Sequence, residues 1–112
     1  MGVSDVKFSP CGKFVCSGNY DTFAKMWDVE TATEVKKMSG HRKKLCSVSF
    51  SPNGKFIATG GADMSVNIYD VNSGELYVSF KGHKDVVRSV SFSPCGTALA
   101  DNNREIKFWS FN

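Results

Sequence analysis

Short runs of alternating apolar and polar residues, separated by clusters of Gly, Pro, Asn, Asp and Ser, fill the chain from Val3 onward. Alternation with period two marks half-buried strands, and the clusters are turn chemistry. Val3 to Phe8 alternates weakly; Ser9-Pro10-Cys11-Gly12 then supplies a turn in which proline presets φ and glycine accepts the left-handed position. Lys13 to Ser17, Phe23 to Asp28 and Thr33 to Met38 follow as strands, with Gly18-Asn19-Tyr20-Asp21 and Val29 to Thr33 as turns. The pattern then recurs. Leu45 to Phe50, Lys55 to Thr59, Ser65 to Asp70 and Glu75 to Phe80 read as strands, separated by Pro52-Asn53-Gly54, Gly60-Gly61-Ala62-Asp63 and Asn72-Ser73-Gly74. The inner strands carry few charges and the fourth of each set is the most variable. Small antiparallel meanders covered on both faces, with the last strand outermost, have that character. No segment sustains a helical period, so the chain is predicted to be all-β.

The recurrence has one period. Phe8-Ser9-Pro10, Phe50-Ser51-Pro52 and Phe92-Ser93-Pro94 are spaced by 42 residues (50 − 8 and 92 − 50), as are Gly40-His41 and Gly82-His83, Asp21 and Asp63, and Trp27-Asp28 and Tyr69-Asp70. Several independent anchors at one spacing define stacked supersecondary units. The third unit departs after Pro94-Cys95-Gly96: Phe50 to Tyr69 spans 19 residues (69 − 50), Phe92 to Trp109 only 17 (109 − 92). Loss of two residues around Ala100 to Asn103 keeps each flanking side chain on its face. Leu99 is then expected at the place of Ile57, and Ile106 and Phe108 at those of Val66 and Ile68.

Composition narrows the class. With 112 residues, 41% hydrophobic and 12% aromatic, the chain has the make-up of a folded protein with a modest core. No apolar run approaches the roughly 18 residues of a membrane span, and Met1 to Asp5 has no secretory pattern. Gly2 opens a myristoylation-like start that fails at Val6. Cys11, Cys16, Cys46 and Cys95 form no C-x-x-C pair. They read as reduced thiols of a cytoplasmic or nuclear protein, without a metal site. A net charge of +3 is too mild to point to nucleic acid.

Four-stranded units of this period, with Gly-His ahead of the first strand and Trp-Asp closing the third, resemble the WD40 repeats of a β-propeller. The resemblance covers nearly the whole chain and rests on Gly40-His41, Gly82-His83, the Ser-Pro-x-Gly turns, Asp21, Asp63 and Trp27-Asp28. It implies WD40-type β-propeller blades at residues 3–39, 45–81 and 87–112, an incomplete ring of about 2.7 blades. The first strand of each would line a central channel, with partners docking on the faces. The first two blades also resemble, faintly, consecutive blades of heterotrimeric G-protein β subunits in SGNYDTFAKMWDV and FSPNGKFIATGGADMSVNIYD.

The family further implies a structural hydrogen-bond network in each blade. In the second it would join His41, Thr59 and Asp63, with Tyr69 replacing tryptophan. In the first it would join Ser17, Asp21 and Trp27, the histidine preceding residue 1. In the third, His83 and Trp109 are present, Asn103 stands at the aspartate position, and the Ser/Thr position falls in the deletion, so this blade is expected to be the loosest. A partly buried imidazole needs both nitrogens satisfied, and a carboxylate and a hydroxyl from an adjacent hairpin do that. The same residue types compose a catalytic triad. Thr59, however, lies within an apolar strand at a repeat position, and the sequence has no paired acids, phosphate-binding glycine loop or metal-ligand cluster. Neither catalysis nor a cofactor or metal is expected.

Function is then expected on loops at the blade ends. Lys36-Lys37 and Arg42-Lys43-Lys44 bring five cations near His41, a cluster the repeat does not require. A solvated strand end accounts for it; as a docking surface it would meet an acidic protein or phosphates. Tyr20, Cys46 and Arg88 are placed by the repeat near the channel mouth, where family members bind peptides. Terminal blade faces are apolar and need covering by further blades of a longer parent chain or by a homo-oligomer. The reading is a non-catalytic protein-protein interaction scaffold that binds peptides or subunits of a larger complex. The alternative is a nucleic-acid or ribonucleoprotein contact module acting through the basic cluster; no membrane partner is expected.

Overall fold

The computed structural model describes residues 2–81 and 87–92, together with the backbone of the strands at 98–101 and 106–109. Among these residues there is no helix, and eleven strands form three antiparallel sheets taken in chain order. The first sheet is β1 (Val3–Phe8), β2 (Phe14–Asn19), β3 (Ala24–Asp28) and β4 (Thr33–Met38). The second is β5 (Leu45–Phe50), β6 (Phe56–Gly61), β7 (Ser65–Asp70) and β8 (Leu76–Lys81). The third pairs β9 (Ser89–Phe92), β10 (Ala98–Asp101) and β11 (Ile106–Trp109).

The repeat extends to backbone angles. Gly12 and Gly54 take φ of 77° and 72°, Thr22 and Met64 take 82° and 67°, and Ala32 and Gly74 take 56° and 73°. Each pair occupies equivalent turns, so turn geometry is set by the hairpin and the side chain adapts to it.

Strands β2 and β6 run two residues beyond Ser17 and Thr59, through glycine positions that the sequence suggested were turns. These glycines serve packing. A Cβ on Gly60 would lie 2.5 Å from Val87 Cγ1 and 2.9 Å from Val90 Cγ1, and one on Gly18 would lie 3.1 Å from Val48 Cγ1. The following sheet thus approaches the backbone, and strand pairing continues where no side chain stands between them.

In the third sheet the register corrects the expected alignment. Ala98 pairs with Phe92, whereas Ile57 pairs with Phe50; the intervals are 6 (98 − 92) and 7 (57 − 50). Ala98 also pairs with Trp109 and Ile57 with Tyr69, at intervals of 11 (109 − 98) and 12 (69 − 57). Each hairpin is therefore one residue shorter, instead of both losses falling around 100–103. Leu99 consequently sits at the place of Ala58 and not of Ile57, and Ala100 occupies the place of Thr59.

Two apolar layers fill the spaces between sheets. Cys16, Ala24, Met26 and Met38 of the first sheet pack against Leu45, Val48, Phe50, Ile57 and Tyr69 of the second. Ala58, Val66 and Ile68 then meet Val87 and Val90. A polar bond recurs at each junction. Asp5 Oδ2 accepts the Val48 amide at 3.0 Å, and Ser47 Oγ, its counterpart one repeat on, accepts the Val90 amide at 3.1 Å. Ser47 also donates to Asp5 Oδ2 at 3.3 Å, so one chain of bonds links all three sheets.

Because Asp5 and Lys7 turn toward the second sheet, alternation turns Val6 and Phe8 away from it. They are 51% and 66% exposed, while their counterparts Val48 and Phe50 are 0% and 9% exposed.

Candidate functional site

Between the second sheet and the loop ahead of β5, the structure brings His41, Asp63 and Thr59 together. His41 Nδ1 lies 3.0 Å from Asp63 Oδ1, and Nε2 lies 2.6 Å from Thr59 Oγ1. An ionised carboxylate only accepts, so Nδ1 carries the proton and Nε2 accepts from the Thr59 hydroxyl. Asp63 is held further by the Arg42 amide at 3.0 Å and the Ser65 hydroxyl at 2.8 Å. Burial pushes the His41 pKa below its ordinary value, a shift that Asp63 only partly offsets. Burial also raises the Asp63 carboxyl, but the Arg42 amide, His41 and Ser65 outweigh it and hold the group below the usual aspartate value. The imidazole is therefore a neutral cross-link. Gly61 makes room for it: a Cβ there would stand 2.6 Å from His41 Nδ1 and 2.7 Å from Asp63 Oδ1.

Tyr69, at the tryptophan position, bonds to Ser39 and Asn67. Its hydroxyl donates to the Ser39 carbonyl at 2.6 Å and accepts from Asn67 Nδ2 at 3.0 Å, and Asn67 in turn accepts from Ser79. Burial raises the phenol pKa, against the opposing effect of Asn67 and of Thr59 nearby. Thr59 has no exposed surface, so its hydroxyl is closed to substrate and cannot serve as a nucleophile.

In the first sheet the counterpart hydroxyl has different partners among the described residues. Ser17 Oγ accepts from Trp27 Nε1 at 3.3 Å and from Asn19 Nδ2, also at 3.3 Å. Asp21 is turned away, accepting the Phe23 amide and pairing with Lys25 at 3.6 Å. Asn19 is the counterpart of Gly61, and its amide reaches the hydroxyl that an imidazole reaches in the second sheet. The Asn19/Gly61 exchange was visible in the repeat alignment but has meaning only once both are known to be buried strand positions. His83 and Asn103 lie outside the described residues, and Trp109 is described only in its backbone.

The surface candidates divide. Lys36 packs over Gly74, and Lys37 Nζ stands 4.1 Å from the Phe23 ring centre. Arg42 and Lys43 are exposed beside His41. Lys44 Nζ lies 5.1 Å above the exposed Tyr20 ring, bridging the first two sheets. The five cations thus form no single patch. Lys44 does converge with two other candidates: with Cys46, Ala62 and Arg88 it lines a cavity of about 290 Å3. Backbone bonds fix this corner, the Ala62 amide donating to the Lys44 carbonyl at 2.9 Å and the Val87 amide to Gly61 at 3.0 Å. Burial raises the Cys46 thiol, against the pull of Lys44 and Arg88. Among the described residues no group of three or more His, Cys, Asp or Glu is placed to hold a metal ion.

The family model described as WD domain, G-beta repeat matches residues 1–28, 32–70 and 74–110. The chain belongs to the WD40 repeat family. Its three sheets are therefore propeller blades, and the His41, Thr59 and Asp63 group lies within the second of them. Two solved structures share the architecture. One, titled a structure of U3-55K, has a TM-score of 0.93 at 20% identity and covers 97% of this chain and 36% of that one. The other, a crystal structure of RRP9 WD40 repeats, has a TM-score of 0.93 at 21% identity and covers 97% and 35%. This chain spans little more than a third of either WD40 relative, and at such identity the likeness is one of fold. No curated protein sequence matches the chain.

Proposed function

We propose that the chain is a non-catalytic protein-interaction scaffold of WD40 blades, docking peptides or subunits of a larger complex at the end where Tyr20, Lys44, Cys46 and Arg88 meet. One observation carries the reading: exposed aromatic and cationic groups converge there, while the groups that could do chemistry are committed to internal bonds. Aromatic and arginine side chains are the usual anchors of such interfaces. WD40 propellers are in general interaction modules, which supports a scaffold over an enzyme.

The outward face of the first blade belongs to the same reading. It is covered by further blades, of a longer parent chain or of a second copy. Free Cys11, Cys16 and Cys46 support a reducing, cytoplasmic or nuclear setting. A nucleic-acid partner finds less support, because the cations are dispersed and affinity for a phosphate backbone grows with the number of phosphates neutralised.

Capture from native extract by the full chain, alongside a Tyr20→Ala, Lys44→Glu variant that melts at the same temperature, tests the docking face. The expected result is a reproducible set of proteins retained by the parent and lost by the variant. Identical capture by both chains would refute the assignment of docking to this end.

A further inference from the structure

The two blade junctions differ at one place in the repeat. At the first, Tyr20 fills the corner: its ring stands 3.6 Å from where a Cβ on Gly2 would be, and Lys44 lies over it. At the second, the counterpart of Tyr20 is Ala62, and the corner is open as the cavity of about 290 Å3. The same backbone bond positions both residues, Tyr20 N–H to the Gly2 carbonyl at 3.0 Å and Ala62 N–H to the Lys44 carbonyl at 2.9 Å. Exchange of a phenol for a methyl group, on an unchanged frame, is what leaves the space.

Two cationic residues line that space from adjacent blades, the Lys44 ammonium also standing 5.1 Å from the Tyr20 ring centre at the first junction. Lys44 precedes β5 and Arg88 precedes β9, and both act on the Cys46 thiol between them. Among the described residues neither has an acidic partner. Asp63, the nearby carboxylate, is occupied by His41, Ser65 and the Arg42 amide. Among the described residues the corner is thus a recess lined by two cations that have no acidic partner, with the small Ala62 side chain beside them. One carboxylate or phosphoryl group matches that charge, and the Arg88 guanidinium is suited to bind either in a bidentate manner. Two cations are too few for a polynucleotide backbone but sufficient for one acidic residue on a peptide.

We propose that the recess between Lys44, Cys46, Ala62 and Arg88 is an anion pocket that receives one acidic side chain, carboxylate or phosphorylated, of a docked peptide. The inference rests on the docking reading above and names the chemistry recognised.

Cys46 is a built-in reporter. In the full chain carrying Cys11→Ser and Cys95→Ser, Cys46 is the accessible thiol among the described cysteines, since Cys16 is buried and its thiol is pushed up to about 12. Its reaction is followed with dianionic dithionitrobenzoate and with neutral dithiodipyridine. The ratio of the two rates cancels any change in thiolate population. Replacing Lys44 and Arg88 by Gln is expected to lower the anionic-to-neutral ratio about tenfold; an unchanged ratio overturns the pocket.

Three short peptides identical except for a central phosphoserine, glutamate or glutamine are then tested for protection of Cys46. Protection by phosphoserine alone assigns a phosphorylated partner, and protection by glutamate as well assigns acidic partners in general. Equal protection by glutamine, or protection by none, overturns the anion assignment, while the capture experiment still judges the docking face separately. Ala62→Tyr, which rebuilds the first junction at the second, is expected to abolish binding of the dye-labelled acidic peptide measured by anisotropy. If that variant fails to fold, the Lys44→Gln, Arg88→Gln chain gives the same readout.

Discussion

His41 shows how one residue's surroundings decide its part. An imidazole between a carboxylate and a hydroxyl has the composition of an acid–base device, yet it is buried, neutral and bonded at both nitrogens. Its pKa is lowered on folding from the ordinary 6.5. Above that value it is neutral in both states and the cross-link contributes fully. As pH falls below it, the unfolded chain takes up a proton that the folded chain refuses, and stability declines until the folded pKa is reached. Asp63, also lowered, contributes fully above the ordinary aspartate value of 3.8 and loses that contribution as pH falls from there through its own folded value. Denaturant melts between about pH 7 and 5, the range around the free imidazole value, are expected to show a steeper loss in the parent chain than in His41→Gln. Parallel profiles would mean that the imidazole is not held neutral. At neutral pH the same substitution leaves Asp63 and Thr59 with an unmatched partner, for a cost of about 1 to 3 kcal/mol. Gly61→Ala is expected to cost a similar amount, because its Cβ would displace the pair.

At the scale of elements, the equivalence of Ala32 and Gly74 gives a prediction of opposite sign. Ala32 holds φ at 56° where the next repeat uses glycine, and a left-handed backbone costs a residue with a Cβ roughly 1 to 2 kcal/mol. Ala32→Gly is expected to stabilise the chain by about 1 kcal/mol in denaturant unfolding; a loss of stability would show that the turn is not strained. The third sheet tests the role of the buried hydroxyl. Ala100 replaces Thr59 there, so amide exchange is expected to be faster in 89–109 than in the first sheet, and the reverse order would contradict the importance given to the network. Number, order and pairing of strands were legible because turn residues and apolar alternation recur with one period. The ends of β2 and β6 were not. Glycine carries one letter for two uses, and only the approach of Val87 and His41 shows that Gly60 and Gly61 are packing positions within a strand. The Asp5 to Ser47 to Val90 relay was also hidden, since bonds between neighbouring sheets leave no periodic trace in single polar residues. Tyr20, Lys44, Cys46 and Arg88 were legible as candidates, but the recess that gathers Lys44, Cys46 and Arg88 depends on Ala62 standing where the first junction has Tyr20. The basic cluster read from adjacent letters separates because Lys36 and Lys37 lie on a strand and pack elsewhere.

For the whole molecule, the decisive contrast is between equivalent faces of the first and second sheets. Val48 and Phe50 are buried against a neighbouring sheet, whereas Val6 and Phe8, on the same face one repeat earlier, are exposed. Each such side chain left in water forgoes about 1.5 to 3 kcal/mol, a large share of the stability of a small domain. This contrast supports the proposal that another blade covers the outward face of the first sheet. Light scattering of the purified chain over a range of concentrations measures that directly. The expected result is a mass above the 12.3 kDa monomer, rising with concentration and returning to the monomer when Val6 and Phe8 are replaced by lysine. A monodisperse monomer that melts cooperatively at every concentration would contradict it.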